Sequence, residues 1–243
     1  MQFEWINFYS EFATKLLEFK NNRAELIADI QSAYSAINMK LPKLEREDSI
    51  IDIDPFTVFG LFNKGITNAN RIAILESFAT VFNIKSKVPN NFDGIPVLNN
   101  LKATYYGFKD DRQAADIDNL WGLYESAINL AGKDDAANRE IFTKWYDTVH
   151  DQLGIRWNIT MGLYWIRPYE FINLDSINRW FIVDPDNMPV DFVNSVKKKL
   201  NKVPYAAEYL AIKDMCLHAL KDGNYEYKNY PELSYRAWCI LRS

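Results

Sequence analysis

Between Phe3 and Ala33 the apolar side chains fall at spacings of three and four with charges between them. The series is Phe3, Ile6, Phe8, Phe12, Leu16, Leu17 and Phe19, then Leu26, Ile27, Ile30 and Ala33. A half-buried strand alternates every second residue, so this spacing predicts helix, as two helices or as one broken near Asn21-Asn22. The same period returns at Phe56–Phe62, at Ile72–Val81 and at Ile117–Ile128. A chain written this way is expected to be mainly α.

The punctuation agrees with that expectation. Asp54-Pro55 supplies an N-cap and a first-turn proline for a helix carrying Phe56, Val58, Phe59, Leu61 and Phe62, and Gly65 is expected to end it. Thr67, with Asn70 three residues on, caps the next helix. Further helices are predicted from about Asp116, from about Asp135 to Leu153 with Gly154 as the stop, after Asp175, from Asp191 to Lys199-Leu200, and from Tyr205 to Leu220 before Asp222-Gly223. Residues 85–100 hold two prolines, one glycine and four asparagines. They read as a loop with a short extended or hairpin piece at Gly94–Leu98, and the following segment to Phe108 does not separate strand from helix. Without internal repeats or a flexible linker, residues 1–243 are expected to form a single compact helical domain with a small β element. The aromatic tail stops in mid-helix, the pattern of a truncated chain or of a domain followed by another module.

Composition narrows the function classes. A net charge of -4 gives no global attraction to polyanions, so contact with nucleic acid would need a local basic patch. Aromatics reach 15% of the chain and either fill the core or offer stacking faces. Two cysteines are too few for a disulfide framework, and no apolar run approaches membrane-span length, so a cytoplasmic protein without membrane contact is expected. Neither GxGxxG nor GxxxxGK[ST] occurs, and no cofactor is expected. His150-Asp151 and Cys216-Leu-His218 lack the further ligands a metal site needs, and no catalytic residue is assigned. Pro185-Asp186 followed by Glu226-Tyr-Lys228 has the letter order of a metal-dependent nuclease, and a surface turn is the simpler reading.

Basic and amide side chains offer more. Asn63, Lys64 and Arg71 surround one predicted turn, and Asn99, Asn100 and Lys102 another; lysine and arginine hold phosphates, and asparagine reads base edges or caps turns. Lys197, Lys198, Lys199 and Lys202 form a patch that a solvated helix end also explains. In Trp157–Ile182, Tyr164, Trp165 and Phe171 read as core. Arg167 is held extended before Pro168, and Asp175 caps the helix containing Arg179. Arg167 and Arg179 are the candidates there for contact with an anion.

Several blocks in a fixed order resemble a known family. WINFYSEFATKLLEFKNNRAELI, DIDPFTVFGLFNKGITNANRIAIL, NNFDGIPVLNN, DIDNLWGLYESAI, NITMGLYWIRPYEFINLDSINRWFI and the terminal YPELSYRAW are similar to the N-terminal region of McrB-like proteins, AAA+ NTPase subunits of type IV, modification-dependent restriction systems. The resemblance implies a defence protein's target-recognition domain that binds double-stranded DNA, methylated DNA and modified cytosine included. The AAA+ motor module and a nuclease subunit would be its partners. The chain itself has no Walker motif and would not catalyse by itself. In the order of its parts, a helix pair, GIPVLNNLK and an Asp at a helix start, it also resembles helix-hairpin-helix DNA glycosylases, with Lys102 and Asp175 as the matching residues. The alternatives are a DNA-acting enzyme, glycosylase-like or nuclease-like, and a protein-interaction module. The DNA contacts expected are Asn63, Lys64, Arg71, Asn99, Asn100, Lys102, Arg167, Asp175 and Arg179.

Overall fold

A computed structural model describes residues 3–47, 49–100, 104–223 and 225–242. These residues are mainly α. In order the helices are α1 (Trp5–Leu16), α2 (Arg23–Ala36), α3 (Pro55–Gly60), α4 (Asn68–Val81), α5 (Asp116–Gly132), α6 (Ala136–His150), α7 (Asn158–Ile166), α8 (Ser176–Ile182), α9 (Val190–Val196), α10 (Ala206–Asp222) and α11 (Tyr230–Arg242). A 3-10 turn at Leu17–Phe19 makes the expected break between α1 and α2. No described helix is long and apolar enough to cross a membrane.

The fold is centred on α3 and α7. Every residue of α3 is buried, as is every residue of α7 from Ile159 to Ile166. Elements that bury all their faces need partners all round, and the remaining helices provide them: α1 and α5 pack on α7, α5 also on α3, α2 on α4, α6 on α5 and α10, and α11 on α8. Gly162 lets α7 approach α3, because a Cβ there would lie 2.6 Å from Phe56 Cδ1. Phe12 is ringed by Phe59, Phe62, Phe78 and Phe82 at centroid separations of 5.3, 5.9, 5.6 and 5.4 Å. Buried polar tips find backbone acceptors: Trp121 Nε1 donates to Ile53 O, Tyr124 Oη to Ala13 O and Trp165 Nε1 to Pro96 O. The chain's two ends meet where the rings of Phe3 and Tyr235 pack at 6.0 Å.

The caps form as expected. Asp54 Oδ1 accepts from the N–H groups of Phe56 and Thr57 at 2.8 and 3.0 Å, and Oδ2 accepts from the Thr57 hydroxyl. Thr67 and Asp175 cap α4 and α8 by accepting from the backbone N–H three residues on. Burial drives the Asp54 carboxyl up to about 6 against the opposing effect of these hydrogen bonds. Between α6 and α10, Arg139 joins Asp134 and Asp214 at 2.5 and 2.7 Å, and the buried Lys213 ammonium lies 3.4 and 3.2 Å from the same two carboxylates.

The structure sharpens the sequence reading of the β element and moves three helix boundaries. The small β element reduces, among the described residues, to one parallel bridge between Lys64 and Leu98. Of the two forms expected for Gly94–Leu98, extended or hairpin, the hairpin does not form: Leu98 N donates across to Asn63 O, Pro96 has no N–H to give, and its carbonyl goes to Trp165. Helix α3 ends at Gly60 rather than Gly65, and α6 ends at His150, before Gly154. Asp191 lies in the first turn of α9, whose cap position is taken by Pro189 with an extended ψ of 137°.

Candidate functional site

The segment Gly94–Val97, the start of α7, the start of α8 and the last turns of α11 enclose an open cleft of about 470 Å³. That is enough volume for a small planar ligand. Its fourth wall approaches through Gly94, which has a φ of +77°; a Cβ there would lie 2.8 Å from the Tyr235 Cα of α11. Only glycine accommodates both the backbone angle and the approach.

Inside the cleft the Arg179 guanidinium lies 3.7 Å from the centroid of the Trp157 ring and donates to Leu174 O at 2.7 Å. Burial lowers the Arg179 pKa from its ordinary value, yet a guanidinium remains charged at any physiological pH. Asp175 stands one helical turn before it and accepts from Asn178 N at 2.8 Å and Asn178 Nδ2 at 3.1 Å. Asn178 Nδ2 also faces Ser234 Oγ at 3.2 Å, and Ser234 Oγ donates to Gly94 O at 3.0 Å. This chain of bonds ties α8, α11 and the Gly94 segment into one floor. Asn178 Oδ1 is buried beside it with no partner among the described residues. Trp238 and Met161 add apolar surface, and Asn158 a further amide. The cleft therefore combines indole rings, one cation, one carboxylate and amide groups, a set suited to a flat ligand with polar edges.

Of the residues predicted as DNA contacts, the fold brings Asp175 and Arg179 together here. A second group meets elsewhere and faces inward. Asn63 is fully buried, its Oδ1 accepting from Tyr9 Oη at 2.8 Å. Arg71 is 4% exposed, stacks over Phe92 at 4.7 Å and donates to Lys64 O at 3.3 Å. Lys64 is 9% exposed, and burial lowers its pKa. These three pack the turn before α4 against α1 and the 92–98 segment, so they are not surface contacts. Asn100 is exposed but holds Gly65 O at 2.9 Å, and the exposed Asn99 lines a neighbouring cleft. Arg167 is turned onto α1, donating to Ser10 O at 3.1 Å and Thr14 Oγ1 at 2.8 Å. Lys102 lies outside the described residues.

The enzyme-like patterns separate similarly. Tyr227 Oη donates to Asn187 O at 2.6 Å, which sets the Asp186 and Glu226 segments side by side, but the Lys228 ammonium is engaged by Gly223 O at 2.6 Å. Cys216 is fully buried, and His218 faces Asp222 at 3.0 Å. Among the described residues no group of three or more His, Cys, Asp or Glu is placed to hold a metal ion. Sequence reasoning missed Trp157, Asn158, Ser234 and Trp238 as cleft residues. Only the density of aromatics around Trp157 hinted at them.

Fold and cleft together define a helical protein with a single core and an open, indole-walled surface cleft. The chain belongs to the family described as a domain of unknown function (DUF8425), whose model matches residues 5–240. No curated protein and no solved structure matches it.

Proposed function

We propose that this chain is a DNA-binding recognition module, non-catalytic by itself, that serves the target-recognition step of a modification-dependent restriction system. The observation that carries the reading is the Arg179 guanidinium stacked 3.7 Å over Trp157 in the cleft, beside Asp175 and Trp238. Ring faces and a buried-edge cation are what a base and its phosphate require, and an Asp carboxylate accepts from the exocyclic amine of cytosine. The resemblance of its sequence blocks to McrB-like proteins supplies the proposed biological setting, in which a separate motor and nuclease do the chemical work.

Fluorescence anisotropy at low salt with labelled DNA, as methylated duplex, unmethylated duplex and single strand, tests the reading. Binding that weakens steeply with salt is expected, and Arg179→Ala should lower affinity by roughly tenfold. Absence of binding to every form of DNA refutes it. A protein-docking role is favoured by one observation, the exposed side chains of Val97 and Leu241 on the rim of the same cleft.

A further inference from the structure

We infer that the ligand is a single DNA strand, held in an extended groove that continues the cleft across the α6–α7 connection; this rests on the DNA-binding reading above. Three clefts meet along that connection. The one described shares Trp157 and Asn158 with a cleft of about 500 Å³ beside Phe108, which in turn shares Leu153, Gly154 and Arg156 with a cleft of about 520 Å³ beside Lys202 and Tyr205.

Rings and cations both line this path. Tyr205 is 41% exposed and lies with one face on the His150 ring at 3.9 Å, so it forms a flat platform at the far end. Among the described residues neither Arg156 nor Lys202 is in an ion pair, whereas the carboxylates along the path are engaged: Asp111 by Arg46 at 2.6 Å, and Asp151 by His150 at 2.7 Å and Tyr205 at 3.0 Å. Counting Arg46 on Asp111, the path carries four cations, Arg46, Arg156, Arg179 and Lys202, against three carboxylates, Asp111, Asp151 and Asp175, a margin of one within a chain of net charge -4. A duplex binder draws most of its affinity from many phosphate contacts, which so few cations do not provide. Stacking on aromatic rings needs bases with a free face, and only an unpaired strand offers them in succession.

The junction between the clefts is also where the backbone is unusual. Gly154 has a φ of +99° and Arg156 a φ of +44°, and both ends of the Gln152 amide are buried without a partner among the described residues. A non-glycine residue in the left-handed region is strained. Here that conformation is adopted by the exposed Arg156, which is in no ion pair among the described residues and lines two of the clefts.

The test compares anisotropy of a labelled oligothymidylate of about 15 nucleotides with that of a duplex of equal length. The single strand should bind at least about tenfold more tightly, with quenching of tryptophan fluorescence as a base stacks in the Trp157 cleft. Arg156→Gly should weaken strand binding by about fivefold or more while leaving the thermal midpoint unchanged or raised, since glycine adopts this φ freely. Tyr205→Ala, with its fold checked by the same melt, should weaken it similarly. Preference for duplex overturns the single-strand inference and leaves DNA binding standing. Strand binding indifferent to both substitutions overturns the groove. No binding to either form removes both readings.

Discussion

Replacing Asp54 by Asn gives a direct measure of what a buried charge does to this fold. The carboxylate is fully buried, accepts three hydrogen bonds from Phe56 and Thr57, and has its pKa raised to about 6 by burial. An unfolded aspartate titrates near 3.9, so the folded state holds this proton about two units more tightly. A carboxyl raised on folding contributes its full stability below the unfolded value and loses it as pH rises through the folded one. The difference between about pH 4 and about pH 7 is on the order of 3 kcal/mol. Asparagine keeps an oxygen for the two N–H groups. Its amide nitrogen then meets Thr57 Oγ1, which already accepts from Tyr105 N at 2.9 Å, a rearrangement that costs about 1 kcal/mol. Asp54→Asn should therefore be less stable than wild type by about 1 kcal/mol near pH 4 and more stable by about 1–2 kcal/mol near neutrality. Urea melts followed by circular dichroism across that window measure both proteins against the same background of other titrations. A stability difference that stays flat across the window would refute the reasoning.

Three further perturbations address the packing, the charge network and the interface. Gly162→Ala drives a methyl to 2.6 Å from Phe56 Cδ1 and 3.1 Å from Tyr105 Oη, and should lower the thermal midpoint by an overpacking cost of about 1–3 kcal/mol. Hydrogen bonding to Arg139 holds the Asp134 carboxyl below its usual range. A lowered carboxylate stabilises above its unfolded pKa and loses that contribution as pH falls, so the deficit of Arg139→Gln in melts should be largest near neutrality and close below about pH 4. Arg71→Met removes a buried cation whose Nε has no partner among the described residues, and should leave DNA affinity unchanged with an equal or higher urea midpoint. A loss of affinity would return Arg71 to the interface.

The parts of this fold that could be read from sequence are those whose causes are local. Asp54, Thr67 and Asp175 announce helix starts because a cap acts over three residues, and the spacing of apolar residues marks α1, α2, α4 and α5 without any tertiary knowledge. Polarity proved a poor guide to exposure. Asn63 looks like a surface amide until Tyr9, 54 residues earlier, takes its oxygen, and Arg71 until Phe92 covers it. The cleft was half legible: Asp175 and Arg179 share one helix with a recognisable start, while the wall opposite arrives through a bond between Ser234 and Gly94, 140 residues apart. Nothing in the local pattern of either segment specifies that meeting.

That bond has a mechanical side. Helix α11 carries Ser234, Trp238 and Leu241 into the cleft, while its Tyr235 rests on Phe3. Tension along α11 would load both the core residue Ala237 and the Ser234 contacts with Asn178 and Gly94. A pull on α11 is thereby felt in the cleft, and the grip on a ligand and the force on the helix share one set of bonds.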